Sequence, residues 1–271
     1  MGQLVRRVGV NLVVDVHQPA QLVLQIAHAD PAPGRSTESL VMEPETGPPP
    51  TAREVDTGAG GRAHVVDVEP GRLVVSYQAR VTGRSAPPPT CALDEIVYVR
   101  PSRYAESDRL AAIALAEFAG VTGRAELLAA VSSWVGSRLQ YVPGSSGPTD
   151  GAVDTLLLRR GVCRDYAHLV VALLRALDVP ARLVAVYAPG LGPMDFHAVA
   201  EAIVDDDWWV VDATLLAPRS SLLRIATGRD AADTAFLSSY GGSVEFLESE
   251  VTAVVDGDLP SDDVSALVAL S

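Results

Sequence analysis

The sequence predicts an α+β protein, with a small antiparallel β-sandwich over roughly the first hundred residues and a mixture of helices and strands after it. Three observations carry this. Short alternating apolar runs separated by Pro/Gly-rich turns fill the first part. Ala/Leu-rich stretches with helical spacing begin after Arg100-Pro101. One segment, Cys163 to Leu177, is apolar nearly all round, as a helix buried in a core must be. With 271 residues, 48% hydrophobic and 20% charged, the chain is long enough for two domains with real cores.

The strand-like runs are Val8 to Val16, Gln21 to Ala27, Ala63 to Val68, Leu73 to Val81 and Glu95 to Val99, with Pro44 to Pro50 and Pro87 to Pro89 as connections. They carry no internal repeat and no catalytic constellation. Ser107 caps an apolar helix ending near Gly120, and Leu128, Val131, Val135 and Leu139 define the next. Tyr141 to Asp150 reads as a loop, after which Asp150 caps a short helix stopping at Gly161. Cys163, Ala167, Val170, Leu174 and Leu177 then recur at steps of four and three, along one face of a helix that Asp178-Val179-Pro180 ends. A strand at Arg182 to Tyr187, a loop at Ala188 to Pro193, and strands His197 to Val204 and Trp208 to Asp212 follow. The expected organisation is a β domain over residues 1–100, a second domain over 101–250 and a C-terminal extension over 251–271.

Composition narrows the function. Thirty-four acidic against 21 basic residues give a net charge of −13, which repels phosphate backbones and anionic lipid, so neither a nucleic-acid nor a membrane partner is expected. All the basic residues are Arg, which removes Schiff-base and P-loop lysine chemistry. No run approaches the ~18 apolar residues of a membrane span, and the first residues resemble neither a secretory signal nor a myristoylation site, so a cytoplasmic location is expected. The two cysteines, Cys91 and Cys163, are too few for a disulfide framework, and Cys91, behind Pro87-Pro88-Pro89-Thr90, is expected to be structural.

Gly161-Val162-Cys163 places a thiol at the first turn of the buried helix, where free backbone amides and the helix dipole favour a thiolate. His197 opens a strand after a Pro/Gly loop, and Asp212 ends the next strand beside four apolar residues, where a carboxylate needs a partner. Taken singly, Cys163 is as simply a core thiol and His197 a structural imidazole; together they supply nucleophile, base and orienting carboxylate. Strand side chains alternate, so Asp212 reaches His197 only in a hairpin whose paired residue numbers have an odd sum, such as Val199 opposite Asp212, or across a bulge. His168 lies off the Cys163 face and is expected to be structural. Asp205-Asp206-Asp207 is a solvated turn rather than a calcium loop. No close-spaced pair of zinc ligands is present, and neither a metal nor a cofactor is expected.

Four motifs, in order, also resemble a known family: Gly161-Val162-Cys163-Arg164-Asp165-Tyr166-Ala167-His168-Leu169, Asp195-Phe196-His197-Ala198, Trp208 to Asp212 with Ala213-Thr214, and Gly228-Arg229-Asp230-Ala231-Ala232-Asp233. They resemble the transglutaminase-like superfamily over about residues 100 to 245, in particular its bacterial members described as transglutaminase-like cysteine proteases. The resemblance implies a papain-like core, with the nucleophile on a central helix packed against an antiparallel sheet that carries His and Asp. It implies a catalytic triad of Cys163, His197 and Asp212 acting on a peptide, protein or small amide through a thioester, with hydrolysis favoured over cross-linking. A noncatalytic binding module of the same fold is the alternative. The family usually has an aromatic residue where this chain has Val199, which bears on the substrate channel. The oxyanion donors expected are the backbone N–H of Cys163 and a side chain from Tyr141 or Gln140. Asp165 and Tyr166 are further substrate-site candidates, and Arg229, Asp230 and Asp233 are expected to form a buried ion pair behind the site.

Overall fold

The computed structural model describes residues 4–29, 34–84 and 86–270. Its first part contains β1 (Val5–Val16), β2 (Ala20–Leu24), β3 (Ser36–Pro44), β4 (Arg53–Gly58), β5 (Gly61–Val68) and β6 (Gly71–Thr82). In β1 the alternation is complete: Val8, Val10, Leu12, Val14 and Val16 are all buried. β3 and β4 were not expected, because both are edge strands; β3 buries only Met42 and β4 nothing, so neither shows the alternation that marks a half-buried strand.

The helical part opens with α1 (Ala92–Val97), where a strand was expected over Glu95 to Val99. Local capping decides this, since the Asp94 carboxylate accepts the Cys91 N–H at 2.9 Å and starts a helix turn. Next come α2 (Ser107–Phe118), α3 (Arg124–Arg138), the two-residue strand β7 (Gln140–Tyr141), α4 (Ala152–Leu158), the equally short β8 (Arg160–Gly161) and α5 (Cys163–Ala176). As its all-round apolarity requires, α5 is buried from Asp165 to Arg175. It lies against the sheet formed by β9 (Ala181–Tyr187), β10 (His197–Val204), β11 (Asp207–Val211) and β12 (Leu223–Gly228), in the order β11-β10-β9-β12 and antiparallel throughout. Asp205 and Asp206 make the β10–β11 turn, both with positive φ (50° and 64°), the backbone a two-residue hairpin turn demands. Val204 therefore faces Asp207 and Ala200 faces Val211, an odd-sum register that, extended one step, sets Val199 opposite Asp212.

After the short α6 (Ala231–Thr234), β13 (Leu237–Tyr240) and β14 (Val244–Val255) return to the first part. β14 pairs along β1 from Arg6 to Val16, and β13 pairs with β2. The sandwich thus consists of two four-stranded sheets, β14-β1-β6-β3 and β13-β2-β5-β4, each completed from the far end of the chain. The boundary expected at residue 250 falls inside β14. The sandwich core also runs on into the third sheet through Tyr187, Leu223 and Ile225, and the Tyr187 hydroxyl donates to the carbonyl of Ile26 at 2.7 Å. Among the described residues, no helix is long and apolar enough to cross a membrane.

Candidate active site

The parallel pairing of β7 with β8, Gln140 to Arg160 and Tyr141 to Gly161, holds the 139–150 segment against the start of α5. Asp165, three residues past Val162, turns its carboxylate back to the Val162 N–H at 2.7 Å and caps the helix. Its other oxygen accepts from Ser146 Oγ at 2.8 Å, which ties the loop to the same helix end. Arg164 adds bonds to Ser146 Oγ at 2.6 Å and to the Gly147 carbonyl at 2.7 Å. Cys163, the first residue of α5, is half-buried, with Sγ 3.9 Å from the carbonyl oxygen of Phe196.

Phe196 precedes His197 at the start of β10, so the contact that locates the thiol also brings it to the imidazole. His197 Nε2 lies 3.1 Å from Asp212 Oδ2, both groups buried. Asp212 Oδ1 accepts the N–H and the hydroxyl of Thr214, at 2.8 and 2.7 Å. The second ring nitrogen, His197 Nδ1, is buried without a hydrogen-bond partner among the described residues and is the one left for Cys163. Burial works against the imidazolium, but the charge and hydrogen bond of Asp212, joined by the neighbouring Cys163, outweigh it and push the pKa of His197 up to about 10. Burial likewise works against the Asp212 carboxylate, and His197 and Thr214 more than offset it, so its pKa is lowered. The pair is therefore held as imidazolium and carboxylate.

Of the upstream candidates, Tyr141 is the one whose titration is influenced by Cys163. Burial first, and the charge of Cys163 second, raise the pKa of its phenol to about 12. Gln140 is exposed, donates its backbone N–H to the Arg159 carbonyl at 2.9 Å, and, one step along β7 from Tyr141, lies on the other side of the strand. Asp165, Tyr166 and Tyr141 are not among the residues that line the cleft beside Cys163. The carboxylate of Asp165 is spent on the helix cap and Ser146, while Tyr166 is buried with its ring 5.9 Å from that of Tyr141.

His168 is fully buried, accepts the Ala231 N–H on Nε2 at 3.1 Å and stacks on Tyr104. Burial lowers its pKa to about 3, so it is a neutral structural group. The expected buried ion pair takes another form. Arg229 and Asp233 pair at 2.8 Å on the surface, Arg229 being 56% exposed, because the long guanidinium side chain keeps its charge in water. Asp230 is the buried member, and it accepts the backbone N–H groups of Tyr104 and Ala232 at 2.9 Å each.

The sequence reading missed the part played by Thr214, although the Asp-x-Thr spacing is a local signal for a carboxylate bonded two residues on. Thr214→Val is expected to lower kcat about tenfold, equivalent to about 1.4 kcal/mol of barrier, with KM little changed and activity rescued by Thr214→Ser. Steady-state kinetics on the three proteins checks this.

A cleft of about 730 Å³ opens beside Cys163 and His197, at the junction of α5, the third sheet and the segment before β13. The model of the transglutaminase-like superfamily matches residues 113–213, the span that holds Cys163, His197 and Asp212. A solved Cytophaga hutchinsonii protein described as a candidate cysteine protease is 30% identical, covers 98% of this chain and 96% of its own, and superposes with a TM-score of 0.87. The ethylmercury-bound periplasmic domain of TgpA from Pseudomonas aeruginosa is 20% identical, covering 80% of this chain and 91% of its own, at a TM-score of 0.44. An uncharacterised Mycobacterium leprae protein is 31% identical over 125 residues, 42% of this chain and 44% of that one, so the chain spans less than half the length of that relative.

Proposed function

This chain belongs to the transglutaminase-like superfamily, and we propose on that premise that it is a cysteine-nucleophile hydrolase of amide or peptide bonds, with Cys163, His197 and Asp212 as its catalytic triad. The observation that carries the reading is the buried His197–Asp212 pair at 3.1 Å, with one imidazole nitrogen left for a thiol at the first turn of α5. The likeness over nearly the whole chain to a candidate cysteine protease supports it.

The chemistry follows from the roles. In the resting enzyme the Cys163 proton already sits on His197, and the thiolate of this ion pair attacks the acyl carbon to form a tetrahedral oxyanion, for which the Cys163 N–H and the Tyr141 hydroxyl are the donors. Collapse breaks the carbon–nitrogen bond; the amine leaves with the proton held by His197, and the acyl group stays on sulfur as a thioester. Water then attacks the thioester as His197 takes its proton, the acid is released and the thiol is restored. Asp212 holds the imidazole in orientation and stabilises its charge.

Two measurements test this. Iodoacetamide should alkylate Cys163 at a rate that falls at least about a hundredfold in His197→Ala; an equal rate in the two proteins would refute the pair as the activating unit. A pH profile supplies the second. The imidazolium must survive to protonate the leaving amine, and its pKa is raised, so activity should persist on the alkaline side and fall only as the pH passes toward about 10. Asp212→Asn removes the charge that raises it and should move the alkaline limb of kcat/KM to lower pH by more than one unit.

A further inference from the structure

Several of the polar side chains around the cleft are engaged within the protein. Arg164 holds Ser146 and Gly147, Ser146 donates to Asp165, and Asp195 accepts the Phe196 N–H at 2.7 Å. Gln25, reaching in from the sandwich, donates to the carbonyls of Asp233 and Ala235 at 3.0 and 3.3 Å and fixes the wall that runs on to Phe236. Beside Cys163 the cleft also presents a set of apolar side chains. Phe196 and Phe236 stack at 4.8 Å and 17° to make one side, and Leu183 and Ile225 come up from the sheet. Between them, Ala185 of β9 and Ala198 of β10 are direct cross-strand partners, so two methyl groups occupy positions where larger side chains would fill the space. On these side chains a charged substrate group would lose its hydration without a partner, whereas each methylene placed on them is favourable.

We infer that the cleft is the acyl-side binding site for a peptide carrying a large apolar side chain, aromatic or branched aliphatic, next to the bond that Cys163 attacks. The inference rests on the nucleophile reading above. Selection works by volume and desolvation: the alanine pair leaves the room, and the stacked phenylalanines supply a flat face against which a ring or an isobutyl group packs.

The test uses dipeptidyl electrophiles that alkylate thiols, with Phe, Leu, Ala, Asp or Arg at one of the two residues and Gly at the other, and iodoacetamide as the probe without a side chain. At one of the two positions Phe and Leu should react at least about tenfold faster than Ala, and Ala faster than Asp or Arg, the discrimination expected of an apolar pocket. In Ala185→Phe the ratio of the Phe to the Ala rate should fall at least about tenfold, and in Phe236→Ala it should fall as well, which keeps the assignment testable if either variant folds poorly. Flat rates, or rates favouring Asp or Arg at both positions, would overturn the apolar site while leaving the nucleophile standing, provided that iodoacetamide labelling still depends on His197. If that dependence is absent, the nucleophile reading fails and the inference with it.

Discussion

Replacing Cys163 by alanine is expected to reduce turnover of a peptide substrate by at least about 10⁴-fold, the scale on which loss of a nucleophile acts, while the protein stays folded. The thiol is half-buried and, among the described residues, the hydrogen-bond contact recorded for it is a long one to the Phe196 carbonyl, so little packing is lost with it. The helix end that it occupies is held by Asp165 on the Val162 N–H and by the β7–β8 pairing, both untouched. His197→Ala should cost nearly as much, and the double variant hardly more than either single one, because residues that act as a unit do not add. Cys91→Ala, at an exposed position, should leave activity where it was. Kinetics on proteins matched by circular dichroism settles the point; appreciable turnover by Cys163→Ala would remove this thiol from the mechanism.

The largest loss of stability is expected at Glu201, four residues along β10 from His197. Glu201 is fully buried and takes both guanidinium groups of Arg182 and Arg224, in contacts of 2.5 to 2.9 Å. Arg182 in turn lies over the indole of Trp208 at 3.6 Å. Desolvation alone would disfavour the Glu201 charge, but the two arginines outweigh it and lower its pKa. Glu201→Ala leaves two buried guanidinium groups facing each other without their carboxylate, and should cost about 3 to 5 kcal/mol, or a fall in Tm of about 10 °C. Glu201→Gln keeps the volume and some of the hydrogen bonds, and should lose less. Thermal and urea denaturation of the three proteins reads this directly. A cost under about 1 kcal/mol for Glu201→Ala would mean that water reaches the arginines and that the cluster does not brace the strand.

The residues of the candidate site were legible because each sits where a local rule operates. Cys163 opens a helix whose burial is written in its apolar residues, and Asp212 closes a strand too apolar for an unpaired carboxylate. The odd register followed from strand alternation once both were placed, and two aspartates in left-handed backbone provide the two-residue turn that sets it. Thr214 could have been read from its spacing. The surface placement of the Arg229–Asp233 pair could not, because a helical spacing of four predicts the contact but not the depth at which it lies.

By itself, then, the sequence determined what short-range patterning controls: α5 and its thiol, the strands that carry His197 and Asp212, the buried strands of the sandwich and the exclusion of lysine chemistry. Tertiary structure decided the rest. It returned β13 and β14 to β2 and β1, set Gln140 and Tyr141 beside the start of α5 by pairing β7 with β8, and brought Gln25 from the sandwich to the wall of the cleft. The physical reason is common to the first two. Edge strands and two-residue strands bury too little apolar surface to leave a periodic signal, so their partners are selected by hydrogen-bond completion between segments distant in sequence, a choice made only once the buried elements have assembled.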